Sequence, residues 1–187
     1  IQTADMLKLP VPEVNYHNIR TKPSKIQSEI VASLVDRAEK VRGRLVEPNI
    51  DNMLKITNDG RKLALDQRLI DPILPDDPDS KVNACVDNVY RIWEEYADTK
   101  AAQLLFCDLS TPKNDGSFNV YDDIREKLIQ RGIPAEQVRF IHEANSDVQK
   151  KELFGKVRSG EVRVLLGSTP KMGAGTNVQD RLIAIHN

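Results

Sequence analysis

Cysteine is scarce in this chain of 187 residues: Cys85 and Cys107 stand far apart and form no Cys-x-x-Cys pair. That excludes a disulfide-stapled scaffold and a zinc module, and leaves two ordinary thiols of a reducing compartment. No apolar run approaches the roughly 18–20 residues of a membrane-crossing helix, and no leader peptide is recognisable. A cytoplasmic protein without membrane contact is therefore expected. Charge of either sign is not in excess: 27 Lys and Arg face 28 Asp and Glu, a formal net charge of -1. A global attraction to nucleic acid is excluded, so any such contact must come from a local patch. What is present is 40% hydrophobic and 29% charged residues, the composition of a globular domain. Ile1 and Asn187, the latter directly after an apolar run, both read as cuts in a longer polypeptide.

Ile1 to Arg20 is rich in proline and polar residues and has no period, so it reads as a linker or resting arm. Ser24 with Gln27 is a capping-box pattern. Ile26, Ile30, Val31, Leu34, Val35, Ala38 and Val41 follow at helical spacing, with a stop at Gly43. A second helix is expected from about Asp51 with Met53, Leu54 and Ile56, and Asn58-Asp59-Gly60 reads as a turn. Pro72, Pro75 and Pro78 among aspartates mark a boundary, giving an N-terminal arm and helical segment at 1–78 and a second unit at 79–187.

In that second unit helix and strand alternate. Ser80 caps a helix with Val82, Cys85, Val86, Val89, Ile92, Trp93 and Tyr96. Short apolar runs at 103–107, 138–142, 162–166 and 182–185 read as buried strands. Between them lie a helix with Val120, Ile124, Leu128 and Ile129, closed by Gly132, and a Ser146-capped helix with Val148, Leu153, Phe154 and Val157. The expectation is an α/β protein: a parallel sheet with helices on both faces, preceded by a mainly helical segment.

Ligands of open parallel sheets bind at the carboxyl ends of the strands. Three loops lie there: 108–117, 143–146 and 167–180. The third is the richest, with Gly167, Gly173 and Gly175 for close backbone approach, the hydroxyls of Ser168, Thr169 and Thr176, the charge of Lys171, and the amides of Asn177 and Gln179. A polar turn that merely reverses the chain has the same composition. The first loop offers Ser110, Thr111 and Lys113 to a phosphate backbone. Asp108 imitates a magnesium-binding carboxylate but lacks a Walker A companion, since Gly-x-x-x-x-Gly-Lys-[Ser/Thr] occurs nowhere. Gly173-x-Gly175 lacks the third glycine of a dinucleotide fingerprint. His142 and His186 end strands without a ligand cluster and read as structural. Trp93 sits on an apolar stripe and reads as core.

The order of these pieces resembles the second RecA-like lobe of superfamily-two helicases, in particular Swi/Snf-type ATPases. Leu104-Leu105-Phe106-Cys107-Asp108 looks like motif IV. Gln149 to Phe154 with Arg158-Ser159-Gly160 looks like the helix that follows. Val164 to Thr169, then Gly173-Ala174-Gly175-Thr176-Asn177-Val178, looks like motif V, and Lys81 after Asp79-Ser80 resembles the Ser-Lys pair that opens the lobe. The likeness covers roughly Asp79 to Asn187. Its wording, with the upstream 56–62 segment, is most similar to bacterial methylase–helicase fusion proteins of phages and conjugative elements.

By that resemblance Thr169 with Ser168 touches a DNA backbone, Gly175 and Asn177 face ATP across an interlobe cleft, and Gln179 links the two sites; by their chemistry Lys171, Ser110, Thr111 and Lys113 are assigned to the nucleic acid and Gly173 to ATP with them. One loop touching both ligands would couple nucleotide-driven closure to a step along DNA. ATP and Mg2+ are implied for the complete parent, with none held tightly by this chain. The implied partners are DNA, a first RecA-like lobe and, on the narrower likeness, a fused methylase domain; the implied setting is a bacterial cytoplasm. Two departures stand out. Met172 takes the place of a usual glycine, and motif VI, Gln-x-x-Gly-Arg-x-x-Arg with its arginine finger, would lie beyond Asn187. No catalytic residue or metal ligand is assigned, so the chain alone should be inactive. Two rival readings remain open at this point. A Rossmann-like domain of a methyltransferase or dehydrogenase would place an acidic ribose ligand about 20 residues past the glycines. A non-catalytic interaction module would use the loops only structurally.

Overall fold

The two middle strands are apolar on both sides, and this dictates the layering. A computed structural model describes residues 13–113, 115–173 and 176–187. In chain order the elements are α1 (Lys25–Arg42), α2 (Met53–Leu65), α3 (Lys81–Glu95), β1 (Ala102–Phe106), α4 (Val120–Gln130), β2 (Val138–Phe140), α5 (Asp147–Ser159), β3 (Val164–Gly167), the single-turn α6 (Thr169–Met172) and β4 (Leu182–His186). All strand pairs are parallel, in the order β2-β3-β1-β4. The chain is an α/β protein with a parallel sheet covered on both faces and a mainly helical segment before it.

On one face, Val82, Val86 and Val89 of α3 and Val120, Tyr121, Ile124 and Leu128 of α4 close over Leu105, Val138, Phe140, Val164 and Leu166. On the other, Leu153, Phe154 and Val157 of α5 close over Ala102, Leu104 and Leu165. Such two-sided burial is why the strands read as continuous apolar runs. A buried polar thread crosses the first face. The Gln103 amide donates to Val89 O at 2.9 Å, which turns its Oε1 to His186 Nε2 at 2.9 Å and makes that nitrogen the protonated one. Burial, helped by Arg91, pushes His186 down to about 4, so it is a neutral structural group. Arg163 lies 4% exposed. It donates to Ala101 O, Trp93 O and Tyr96 O, satisfying carbonyls at the end of α3.

Side-chain caps set the helix starts: Ser24 with its capping box, then Asn52, Ser80, Asn119 and Ser146. Helix α4 ends as expected at Gly132, whose φ of 104 lies in the left-handed region. Its amide reaches Ile129 O and that of Ile133 reaches Leu128 O, with Leu128 and Ile133 both buried.

Several expectations need correction. Asn58-Asp59-Gly60 is not a turn, because α2 runs through it. Burial of Ile56 and Leu63, and the 2.8 Å pair between Asp59 and Arg37, outweigh a glycine cost of about 1 kcal/mol. Val148 is 75% exposed and no part of the core stripe of α5. Likewise Val31 and Val35 stand off the half-buried stripe of α1. Strand β2 stops at Phe140, since Ile141–Glu143 winds into a 3-10 turn, and Val162 and Arg163 precede β3. Of the N-terminal arm, residues 1–12 lie outside the described residues. Among the described residues no helix is long and apolar enough to cross a membrane.

The proline-bearing stretch taken as a boundary lies against α4. Leu65 and Leu69 pack on the first-face core. Arg68 contacts Asp66 at 2.7 Å, Asp123 at 2.9 Å and Asp76 at 3.1 Å, and stacks over Phe118 at 4.4 Å. Lys127 closes the cluster on Asp76 and Asp123 at 2.7 and 2.8 Å. Asp66 is 1% exposed, so removing its partner strands a buried charge. Arg68→Met is therefore expected to cost about 3 kcal/mol in urea unfolding. A loss below about 1 kcal/mol, the range of an exposed ion pair, would contradict the buried-clamp reading.

Candidate functional site

The site is built by strand register. Phe106 of β1 pairs with Gly167 of β3, so Asp108 and Thr169, each two residues further on, emerge level with one another. The Asp108 carboxylate accepts the Thr169 amide at 2.6 Å and the Thr169 hydroxyl at 3.0 Å. The loops after β1 and β3 are thus joined at the carboxyl end of the sheet.

Beyond Thr169 the chain makes one helical turn, α6, which drops Met172 into the core at 1% exposure. Gly167 makes this geometry feasible: a Cβ there would lie 2.5 Å from Ile141 Cγ2 and 2.6 Å from Met172 Cγ. Gly173 is constrained in the same way, because a Cβ would sit 2.6 Å from Thr169 O. The Met that departs from the helicase pattern is therefore the anchor that folds the loop back over the strand end. Ser168 is buried at 8% and its backbone carbonyl accepts from Lys171 and Met172, whereas Thr169 and Lys171 are exposed.

In the first loop Ser110 adopts a left-handed φ of 59. Its hydroxyl accepts the Val120 amide at 2.9 Å, binding the loop to the start of α4. Thr111 is half-buried and Lys113 exposed. Tyr121 donates its hydroxyl to Cys107 O and stands edge-on to His142, with ring centroids 5.3 Å apart. Burial and then the charge of Lys171 hold His142 below its ordinary range. Both cysteines are free thiols, and burial pushes Cys85 up to about 12.

The sequence-derived residues thus divide. Ser110, Thr111 and Lys113, and Ser168, Thr169 and Lys171, share the carboxyl end of the sheet. Asn177 and Gln179 lie on the descending limb of the loop, on the α5 side. There Val178 is buried with Leu153, Phe154 and Val157, Arg158 donates to Asn177 O at 2.7 Å, and Arg181 donates to Arg158 O at 2.8 Å. The side chains of Asn177 and Gln179 are exposed. Gly175, named for close approach to ATP, lies outside the described residues. Sequence reasoning missed Asp108 as partner of Thr169, a contact that only the strand register reveals, and missed Arg158 as the clamp on Asn177.

Two concavities of about 390 and 550 Å³ open elsewhere. The first, lined by Lys100, Lys156, Arg163, Glu136 and Glu161, lies at the amino ends of the strands. Neither is lined by the residues 108–113 or 168–173 of the carboxyl-end loops. Among the described residues no three His, Cys, Asp or Glu side chains converge to hold a metal ion. No family model matches the chain, and no curated protein matches it.

The packing of Met172 over Gly167 yields a double-mutant cycle. Gly167→Ala should cost about 1–3 kcal/mol by overpacking, and Met172→Ala about 2–5 kcal/mol through its cavity. Together they should cost clearly less than the sum, because the shortened side chain makes room for the added methyl. Strict additivity in chemical denaturation would show that the two residues do not meet.

Proposed function

We propose that this chain belongs to the second RecA-like lobe of a DNA-dependent ATPase of the helicase type, where it grips the phosphate backbone of DNA and faces ATP. The observation that carries this reading is the level junction of the loops after β1 and β3 at the carboxyl end of a parallel sheet. It gathers on one surface the residue types suited to phosphate oxygens: hydroxyls at Ser110 and Thr169 and exposed cations at Lys113 and Lys171. This local patch reconciles a backbone contact with a net charge of -1.

In the parent, ATP with Mg2+ supplies the transferable phosphoryl group. Of this chain, Gly173, Gly175, Asn177 and Gln179 would face the nucleotide. The exposed carboxamides of Asn177 and Gln179 suit ribose and phosphate oxygens, and the Arg158 contact to Asn177 O orients that limb. Thr169 and Asn177 lie on opposite limbs of one loop pinned by buried Met172 and Val178. On this reading one loop carries both the DNA-facing and the ATP-facing groups, the arrangement that coupling nucleotide binding to translocation requires. The sequence holds no Walker A motif and no Gln-x-x-Gly-Arg-x-x-Arg motif, so on this reading hydrolysis would be the work of the assembled parent.

With this purified chain, binding of a fluorescent duplex oligonucleotide at low salt is expected without DNA-stimulated ATPase activity. Thr169→Ala and Lys171→Ala should both weaken binding. Lys171→Ala should also lower the slope of log affinity against log salt by about 0.7–0.9, one phosphate neutralised fewer. Wild-type affinity and salt slope in both variants, with unchanged melting, would remove the loop from the interface.

A further inference from the structure

We propose that Asp108 is an internal stand-in for a DNA phosphate: a positioning residue that holds the Thr169 donors in place and competes with the backbone for them. This deepens the nucleic-acid reading above and rests on it. The geometry is two donors on two oxygens. One carboxylate oxygen accepts the Thr169 amide at 2.6 Å and the other accepts the Thr169 hydroxyl at 3.0 Å. Two non-bridging oxygens of a phosphodiester would take the same pair in the same way. Asp108 and Thr169 are both exposed, so a phosphate can reach them. The carboxylate has no ion-pair partner among the described residues. Its negative charge therefore faces any phosphate that approaches.

Two consequences follow from elementary electrostatics. In the free protein the carboxylate satisfies both donors and keeps the loop after β3 in its binding shape, so little ordering remains at the moment of contact. When DNA arrives, the phosphate must displace the carboxylate against like-charge repulsion, which holds affinity down and speeds release. A contact that has to be made and broken at each step along DNA is served by such an internal competitor, whereas a static anchor would be weakened by it.

The test separates competition from mere support. Asp108→Asn keeps an acceptor for the Thr169 amide but removes the charge. Binding of a fluorescent duplex oligonucleotide to the full chain is measured for wild type, Asp108→Asn, Thr169→Ala and the double variant, each checked by thermal melting. Competition predicts that Asp108→Asn binds about 3- to 10-fold tighter than wild type, the effect of deleting one exposed like charge. It also predicts a smaller gain in the Thr169→Ala background, where the amide donor is kept and the hydroxyl donor is lost. An Asp108 that merely repelled DNA would give the same gain with and without the Thr169 hydroxyl, and that result overturns the stand-in role. If wild type binds, Thr169→Ala weakens binding and Asp108→Asn is equal to or weaker than wild type, the stand-in role is overturned and the DNA-contacting loop survives. If none of the four proteins binds, the stand-in role falls together with the nucleic-acid reading.

Discussion

The register between β1 and β3 governs the rest of the molecule. Each strand is buried on both faces, with Leu105 and Leu166 toward α3 and α4 and Leu104 and Leu165 toward α5. A slip of one residue would exchange the two faces and set every side chain against the wrong helix layer, so the pairing is tightly specified. That pairing sets Phe106 beside Gly167. The absence of a side chain at Gly167 lets Met172 turn back onto Ile141, and the turn delivers Thr169 to Asp108. A packing constraint in the core thus reaches the surface within two residues and decides which polar groups meet there.

Charge is distributed on the same plan. Many of the cations are committed to holding the fold: Arg68 and Lys127 to a carboxylate cluster that fastens the helical segment to α4, Arg163 to carbonyls at the end of α3, Arg158 to the Asn177 carbonyl of the descending loop, and Arg181 to the Arg158 carbonyl at the end of α5. Lys113 and Lys171 stay exposed at the carboxyl end. A near-neutral protein can in this way keep exposed lysines at one end of its sheet. The two limbs of the loop after β3 then differ in kind. One is presented to solvent beside Asp108, and the other is strapped to α5, with buried Met172 and Val178 as pins between them.

The sheet was legible in the sequence because buried parallel strands leave uninterrupted apolar runs, and the helices after residue 79 were legible because Ser80, Ser146 and Gly132 punctuate them. Asn58-Asp59-Gly60 misled because turn chemistry is local, whereas the Asp59–Arg37 pair and the burial of Ile56 and Leu63 are tertiary. The Gly-rich loop was recognised by composition, but composition cannot show that Ser168 turns inward or that Asn177 lies under Arg158. In the sequence Asp108 imitates a metal ligand. Its contact with Thr169 joins residues far apart in the chain, and only the strand register brings them level.

The central claim, that the carboxyl-end loops form the nucleic-acid surface, is tested most directly by mapping a duplex oligonucleotide onto the chain through backbone amide chemical shifts in solution. The account predicts perturbations concentrated at residues 108–113 and 168–173, with quiet signals around Lys100, Lys156 and Arg163 at the amino-end cavity. Shifts clustered at that cavity, or a spectrum unchanged by saturating oligonucleotide, would contradict it.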